Sequence, residues 1–245
     1  MPAITPTSKF ITLSVILICG YFNSLCQQFE SFKDARDGRS YKTVKIGSQE
    51  WMAENLNANR FLNGDTILNA KNKEEWKKAG EKKQPAWCYY EFNTANEKKF
   101  GKLYNWYAVS DPRGLAPTEW HIPSRSEFGE LSSHLGGDNV AGAKMKNKSG
   151  WGTNERLFIK DSSRSNSSGF CGLPGGRVFF NLIGDNKYRI DFSSVGYEGY
   201  WWTSSEVKDG AVTYFLVFTH SITGELYNFL GNGYSVRCIK NSEFL

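Results

Sequence analysis

The alternation of apolar and polar positions is clearest in the last fifth of the chain, where it predicts four strands. Residues 211–219, AVTYFLVFT, are β-branched and aromatic throughout, the composition most typical of a strand. Residues 199–205, GYWWTSS, predict a central strand ahead of it. Residues 225–230 and 234–239 predict two returning strands, each preceded by a turn that contains glycine. The pattern therefore predicts a meander of antiparallel hairpins.

A separate strand pair is predicted near the start of the chain. Residues 41–46 predict a strand, and Gly47-Ser48 has the composition of a two-residue hairpin turn. The returning strand then begins at Glu50. Residues 60–85 predict an exposed excursion that carries a short polar helix at 74–78.

The best-defined helix is predicted to start at Ser124. Ser124 and Glu127 have the spacing of a capping box, in which each side chain satisfies a backbone donor of the first turn. Gly136-Gly137 supplies the stop. Apolar residues recur between them at three- and four-residue steps and predict one buried face: Phe128, Leu131 and Leu135.

Two further helices are predicted on either side of this one. Leu103, Trp106 and Tyr107 share one face of a helix that ends at Asp111-Pro112. Residues 138–145 predict a shorter helix, with an aspartate as its cap. Helices beside antiparallel hairpins predict an α+β fold, in which two main helices pack on a twisted, mostly antiparallel sheet with long loops.

Composition and charge narrow the functional classes. The 245 residues allow one large domain or two small ones. A net charge of +5, without an obviously basic face, does not point to a nucleic-acid partner. Aromatic residues at 15% and 24 glycines are typical of a loop-rich fold whose rings cover irregular backbone.

The N-terminus has the pattern of a signal peptide. Lys9 precedes the apolar run 10–18, which is too short to span a bilayer. We expect cleavage after Cys26, so that 1–26 is removed and 27–35 forms a short polar lead-in. The alternative is a lipoprotein with an acylated cysteine, although a small residue does not precede either N-terminal cysteine. Export and a place in the periplasm, at the cell surface or outside the cell follow from either interpretation.

An exported chain enters an oxidising compartment, so its remaining cysteines can pair. Cys88 with Cys238 is the preferred disulfide, because both lie in segments with ordered patterns, and Cys171 would then be a spare thiol. The alternative is that all three are free thiols that act as small apolar groups.

Nothing in the sequence predicts a metal site or a cofactor. The three histidines lack metal-ligand spacing, and His121 between Trp120 and Ile122 is expected to be a packed, hydrogen-bonded ring. Phosphate-loop and nucleophile-elbow motifs are absent from the sequence. A hydrolase that uses two loop carboxylates stays open, because separate loops can bring such groups together.

The candidate ligand site is the aromatic stretch at 197–206. Neighbouring residues of a strand face opposite sides, so at least one large ring should face outward and stack on a sugar or contact a protein. The alternative is that loop 149–168 covers these rings as a second small core. The candidate ligand-binding residues are Tyr197, Tyr200, Trp202, Glu206 and Arg177.

Six phrases in order along the chain carry a resemblance to a known family. They are DGRSYKTVKIGSQEWMAENLN, GKLYNWYAV, WHIPSRSEF, GFCGLPGGR, GYWWTSSE and GYSVRCIK. Together they make residues 36–240 resemble the Fibrobacter succinogenes major paralogous domain, which is found in exported bacterial proteins. That family is in turn distantly similar to C-type-lectin-like and formylglycine-generating-enzyme folds, which implies a single domain of that class.

Neither distant relative supplies a matching site. The oxidase reaction of formylglycine-generating enzymes needs two nearby cysteines as copper ligands, and no cysteine lies between Cys171 and Cys238. The calcium-binding phrases of lectins are absent. We therefore expect an exported, non-enzymatic binding module for a glycan or a cell-envelope protein. The alternatives are a structural or adhesive surface protein without a small ligand, and the carboxylate hydrolase.

Overall fold

The computed structural model of the protein describes residues 27–152, 164–184 and 187–244. The predicted signal peptide at 1–26 lies outside these residues, as does part of the loop 149–168. Within the described chain, strands account for 34% and helices for 21%, arranged as four small sheets and five short helices. None of these helices is long and apolar enough to cross a membrane.

The elements follow one another as short pieces. The helices are α1 (Lys73–Glu81), α2 (Glu97–Phe100), α3 (Trp106–Val109), α4 (Arg125–His134) and α5 (Asp138–Met145). The strands are β1 (Phe29–Lys33), β2 (Ser40–Ile46), β3 (Gln49–Met52), β4 (Leu68–Asn69), β5 (Ala86–Cys88), β6 (Leu103–Tyr104), β7 (Trp120–His121), β8 (Arg177–Leu182), β9 (Tyr188–Ser193), β10 (Glu198–Val207), β11 (Gly210–Val217), β12 (Thr223–Asn228) and β13 (Ile239–Lys240).

The largest sheet joins both ends of the described chain, in the order β1-β2-β3-β13-β7. All of its pairs are antiparallel, and the predicted hairpin around Gly47-Ser48 connects β2 to β3. β1 lies within the predicted lead-in and extends this sheet at its edge. β13 is only two residues long, yet Ile239 pairs with both Trp51 and His121. The last strand of the chain is therefore in the interior of the sheet.

The predicted meander is confirmed for three strands, in the order β10-β11-β12. The turn predicted at Thr223-Gly224 is wrong, because β12 already begins at Thr223. The fourth predicted strand, 234–239, does not continue the meander. Instead, Tyr234 bridges Tyr104, and Ser235 bridges Trp201, so this segment runs between β6 and β10.

The predicted helix after residue 103 is wrong in its extent. Leu103 and Tyr104 form β6, which pairs with β5, and α3 is a single turn of four residues. Asn105 separates the two elements, because its side chain accepts hydrogen bonds from the backbone N–H groups of Ala86 and Ala108. The helical spacing of the apolar residues thus arises from a strand and a turn that are both buried.

The helix α4 forms as its capping signals predict. The Ser124 and Glu127 side chains each accept a hydrogen bond from the other residue's backbone N–H. Phe128 stacks on Tyr214 of β11 with ring centroids 4.6 Å apart. Leu131 and Leu135 are buried, so the apolar face contacts the core as expected.

The buried hydrophobic residues of the described chain form three clusters, and β10 separates two of them. Trp202 and Tyr200 belong to the cluster that also holds Tyr104 and Tyr234. Trp201 belongs to a second cluster with Phe128 of α4. The third cluster lies between α1 and the β8-β9 hairpin. β10 is therefore covered on both faces.

These observations correct the predicted fold class. The protein is mainly β, with four small sheets, and α3 is too short to be a main helix. The expectation of a C-type-lectin-like α+β domain, with two main helices packed on one sheet, is wrong. The prediction failed because residues that recur at helical spacing pair instead with strands that are distant in sequence. The local periodicity of a sequence does not reveal such pairing.

Candidate functional site

The aromatic stretch of β10 does not present a stacking platform. Tyr200 and Trp202 are 4% and 0% exposed, and Trp201 is 1% exposed. The expectation that at least one ring of the stretch faces outward is met only by Tyr197, because a hydrophobic cluster covers each face of the strand that carries the other three rings. Tyr197, just before the strand, is 43% exposed and packs edge-on against Phe218.

The other predicted ligand residues fall into separate places. Arg177 lies over the Tyr200 ring and donates a hydrogen bond to its hydroxyl, which in turn donates to Glu198 at 2.8 Å. Glu206 is exposed near the opposite end of β10, roughly 30 Å along the strand from Tyr197. The structure therefore brings Arg177 and Tyr200 together but does not join them with Glu206 and Tyr197 in one site.

A cleft of about 420 Å³ lies elsewhere, between the first hairpin and the end of the chain. Its lining comes mostly from residues 39–42 at the start of β2, 53–55 after β3 and 97–101 around α2. Single residues from distant segments complete it: Phe29, Asn57, Asn147, Asn166, Cys171, Leu173 and Arg237. It combines amide, charged and aromatic side chains, so it is the candidate functional site.

Local backbone geometry brings the walls of the cleft together. α2 ends at Gly101, whose φ of +73° favours glycine, and a Cβ there would lie 3.3 Å from the Cβ of Asn55. Ala53 donates its backbone N–H to Lys42, and Leu56 donates to Val236. The segment after β3 is thereby held between β2 and the end of the chain.

Asn55 joins four parts of the molecule through its side-chain amide. Its Oδ1 accepts from the Trp201 indole at 2.8 Å and from the Arg237 guanidinium at 2.7 Å. Its Nδ2 donates to the Phe100 carbonyl at 2.8 Å and to the Ser235 hydroxyl at 3.2 Å. Both N–H donors and the acceptor oxygen of the amide are therefore occupied, and the side chain fixes the floor of the cleft.

Arg237 is a buried cation beside this amide. It is 1% exposed, its guanidinium lies 4.2 Å from the centre of the Phe170 ring, and it donates to the Phe170 carbonyl. Its Nε has no hydrogen-bond partner, and no carboxylate among the described residues forms an ion pair with it. Burial lowers the pKa of Arg237 to about 10, so the group is cationic at neutral pH.

The mouth of the cleft carries an ion pair. Arg39 donates to Glu97 at 2.9 Å, and Asn57 donates to the same oxygen at 3.1 Å. Partial burial would raise the pKa of Glu97, but hydrogen bonds from Tyr89, Arg39 and Asn57 outweigh it and lower the pKa. A general acid of a hydrolase needs a raised pKa, so Glu97 does not fit that role.

Behind the mouth, two polar groups lie in a largely apolar setting. The Asn57 Oδ1 is buried without a partner, while the Asn57 carbonyl accepts from the Lys102 ammonium at 2.8 Å. Burial, together with the nearby charge of Arg39, lowers the pKa of Lys102 to about 8. Its Nζ also lies 3.9 Å from the centre of the Trp87 ring.

The charges that line the cleft are unequal. Five of its side chains are cationic and two are carboxylates. The carboxylates are Glu54 and Glu97, and Glu54 already accepts a backbone hydrogen bond from Lys42 at 3.0 Å. Among the described residues, histidine, cysteine and acidic side chains do not cluster in a way that could hold a metal ion.

The predicted disulfide is not formed. Cys88 and Cys238 are both buried free thiols, and they lie in different hydrophobic clusters. Burial raises the pKa of each thiol. Cys171 is also free, but it is only half-buried and lines the cleft, where Asn166 donates to its sulfur at 3.2 Å. The prediction failed because ordered segments need not be neighbouring ones.

Sequence reasoning missed the cleft because its residues have no common spacing. One signal was available: Arg237 interrupts a pattern that is otherwise buried, between Val236 and Cys238. A charged residue in such a position has to be paired or functional. His121, by contrast, is a hydrogen-bonded ring as expected, with Glu127 and Asn241 each 2.7 Å from its nitrogens.

Comparison with known proteins identifies a family but no function. A family model described as the Fibrobacter succinogenes major domain matches residues 44–240. This range includes most of the cleft, from Ala53 to Arg237, but not Phe29 and residues 39–42. No curated protein matches the chain, and no solved structure matches it.

Proposed function

We propose that this chain, which belongs to the Fibrobacter succinogenes major domain family, is an exported binding module without enzymatic activity. The binding site in this proposal is the cleft bounded by β2, α2 and Arg237, and the ligand is a glycan. Export rests on the basic residue and apolar run within residues 1–26, which have the form of a signal peptide.

The observation that carries the proposal is the chemistry of the cleft lining. Amide side chains at Asn147 and Asn166 stand beside charged groups, and sugar hydroxyls both donate to and accept from such groups. Ligand sites generally combine a concave shape with a few fixed polar groups. Asn55 fixes the floor beneath these groups, because its four hydrogen bonds hold its side chain in place.

An aromatic residue at the cleft supports a sugar ligand over a small ion. Phe29 is 42% exposed and lines the cleft together with the buried Phe100. A ring at this position can stack on the apolar face of a sugar while the amides bind its hydroxyls. In this proposal β1 contributes to the site although it precedes the family match.

A glycan array probed with the mature chain, starting at Gln27, tests the proposal. We expect binding to at least one polysaccharide, weakened about threefold to tenfold by Phe29→Ala, the range expected for loss of one aromatic contact. Phe229→Ala is the matched control, because Phe229 is also exposed but does not line the cleft. A folded chain that binds none of the glycans would overturn the proposal and favour a structural surface component.

A further inference from the structure

We infer that the glycan bound by this cleft is anionic, carrying carboxylate or sulfate groups, and that Arg39, Lys98 and Lys99 receive them at the mouth. The inference rests on the proposed function, because it specifies the ligand of the same site. Carboxylate and sulfate share the chemistry that cationic side chains recognise, so both sources of negative charge are included.

The first argument is the balance of charge at the mouth. Lys98 and Lys99 are exposed on α2, at the rim, and have no carboxylate partner in the described part of the chain. Arg39 has one, Glu97, but both partners are more than one-third exposed, so a ligand group can approach the remaining guanidinium donors. Concave sites lined by one sign of charge concentrate oppositely charged ligands.

The second argument is the buried guanidinium at the floor. A charge removed from water is strongly unfavourable unless it is paired, and the partners of Arg237 are neutral: an amide, a carbonyl and the rings of Phe170 and Trp201. Its Nε lacks a partner altogether. The field of this cation extends into the cleft that it lines, and a bound anion would compensate it.

The third argument is that the acidic groups of the cleft are already engaged. Glu97 accepts from Arg39 and Asn57, and Glu54 accepts from the backbone of Lys42. These carboxylates therefore offset part of the positive charge but leave three of the five cations uncompensated. A cationic or neutral ligand would leave that imbalance in place.

The test compares two ligands that share a sugar backbone and differ in charge. Titration calorimetry of the mature chain with oligogalacturonates and with their fully methyl-esterified, neutral forms separates charge from sugar shape. We expect the charged form to bind at least about tenfold more tightly, with the difference shrinking as salt rises from about 0.05 to about 0.3 M. Dextran sulfate and dextran form a second pair, which distinguishes sulfate from carboxylate.

Charge-reversal variants test the location. Lys98→Glu with Lys99→Glu should weaken binding of the charged oligomer by at least about tenfold. Lys82→Glu with Lys83→Glu is the matched control, because these lysines are equally exposed at the end of α1 and do not line the cleft. An equal loss in both variants would mean that overall charge, and not this cleft, determines binding, and would overturn the inference.

Cys171 provides an independent readout inside the cleft. It is a half-buried free thiol, so iodoacetamide should alkylate it, and bound oligomer should slow that reaction. Cys88 and Cys238 are internal controls, because both are buried. Peptide mapping by mass spectrometry reads each cysteine separately. An unchanged rate at Cys171 with saturating ligand would place binding elsewhere.

The outcomes separate the two proposals. The inference of an anionic ligand would be overturned by equal affinity for the charged and neutral oligomers, or by binding on the array to neutral glycans alone. Either result would still support the proposal that the protein is a binding module. Failure of both ligand pairs and of every glycan on the array would overturn the proposed function itself.

Discussion

The guanidinium of Arg237 donates a hydrogen bond to Asn55 Oδ1 at 2.7 Å, across 182 positions of the chain. The same oxygen accepts from the indole of Trp201. Three segments that are remote in sequence therefore meet at one amide: the segment after the first hairpin, the first strand of the meander and the segment just before β13. The floor of the cleft and the packing of the core depend on the same side chain.

Asn55→Ala should destabilise the protein strongly. The change leaves the Trp201 indole and the Phe100 carbonyl without a partner and leaves Arg237 with the Phe170 carbonyl alone, and each buried unsatisfied group costs about 1–3 kcal/mol. We expect a loss of at least about 3 kcal/mol in the free energy of unfolding by denaturant titration. Asn63→Ala, in an exposed turn, is the control and should change it by less than about 0.5 kcal/mol.

The two neighbouring tryptophans of β10 should matter equally for stability. Trp201 and Trp202 are fully buried in different clusters, so alanine at either position should cost about 3–5 kcal/mol in chemical denaturation. Tyr197→Ala removes a ring that is 43% exposed and should cost about 1 kcal/mol. If one tryptophan variant behaved like Tyr197→Ala, β10 would have a solvated face after all.

Stability should depend on pH through His121 and Glu127. The hydrogen bond that His121 donates to the Glu127 carboxylate raises the pKa of His121. Burial would raise the pKa of Glu127, but the hydrogen bonds that it accepts from His121 and Ser124 lower it to about 2. The histidine contribution is complete below its unfolded pKa of 6.5 and is lost as pH rises through the raised value. The glutamate contribution is complete above 4.5 and is lost as pH falls toward 2.

The measurement is thermal unfolding of the wild-type protein and Glu127→Gln across pH. Glutamine can still serve in a capping box, so the variant removes mainly the charge. The difference in stability should be greatest between about pH 4.5 and 6.5 and amount to about 0.5–1 kcal/mol, since both side chains are partly solvated. His220→Gln, at an exposed position, should show no such window. A difference that is constant with pH would contradict the assignment.

Reducing agent should leave the stability of the mature chain unchanged. Cys88 and Cys238 are free thiols in separate clusters, so no cross-link between them restrains the unfolded chain. Melting temperatures with and without dithiothreitol should agree, and both thiols should become reactive only on unfolding. A melting temperature that falls on reduction would show that a disulfide is present and would contradict this prediction.

Local signals predicted those parts of the fold that local chemistry determines. The capping box of Ser124 and Glu127 placed the start of α4, and Gly47-Ser48 placed a hairpin. Leu103 and Tyr104 were assigned to a helix because their partners, Trp87, Cys88 and Tyr234, are between 15 and 130 positions away. Strand pairs of two residues leave almost no alternation to detect.

The cleft was beyond prediction for a related reason. Its lining is assembled from β2, α2, the segment after β3 and isolated residues such as Cys171 and Arg237. No motif spacing connects these lining residues, because they come from several elements and loops that are distant in sequence. The aromatic stretch was predicted as the site instead, but the rings of β10 belong to two hydrophobic clusters.

The position of β13 constrains the order of events during folding. Its two residues lie between β3 and β7, so the largest sheet stays divided until the end of the chain has been synthesised. Contacts this remote in sequence slow the search for the native state. A newly made chain would therefore stay unfolded for longer, and in the export that we propose this delay would allow it to be translocated before the sheet closes.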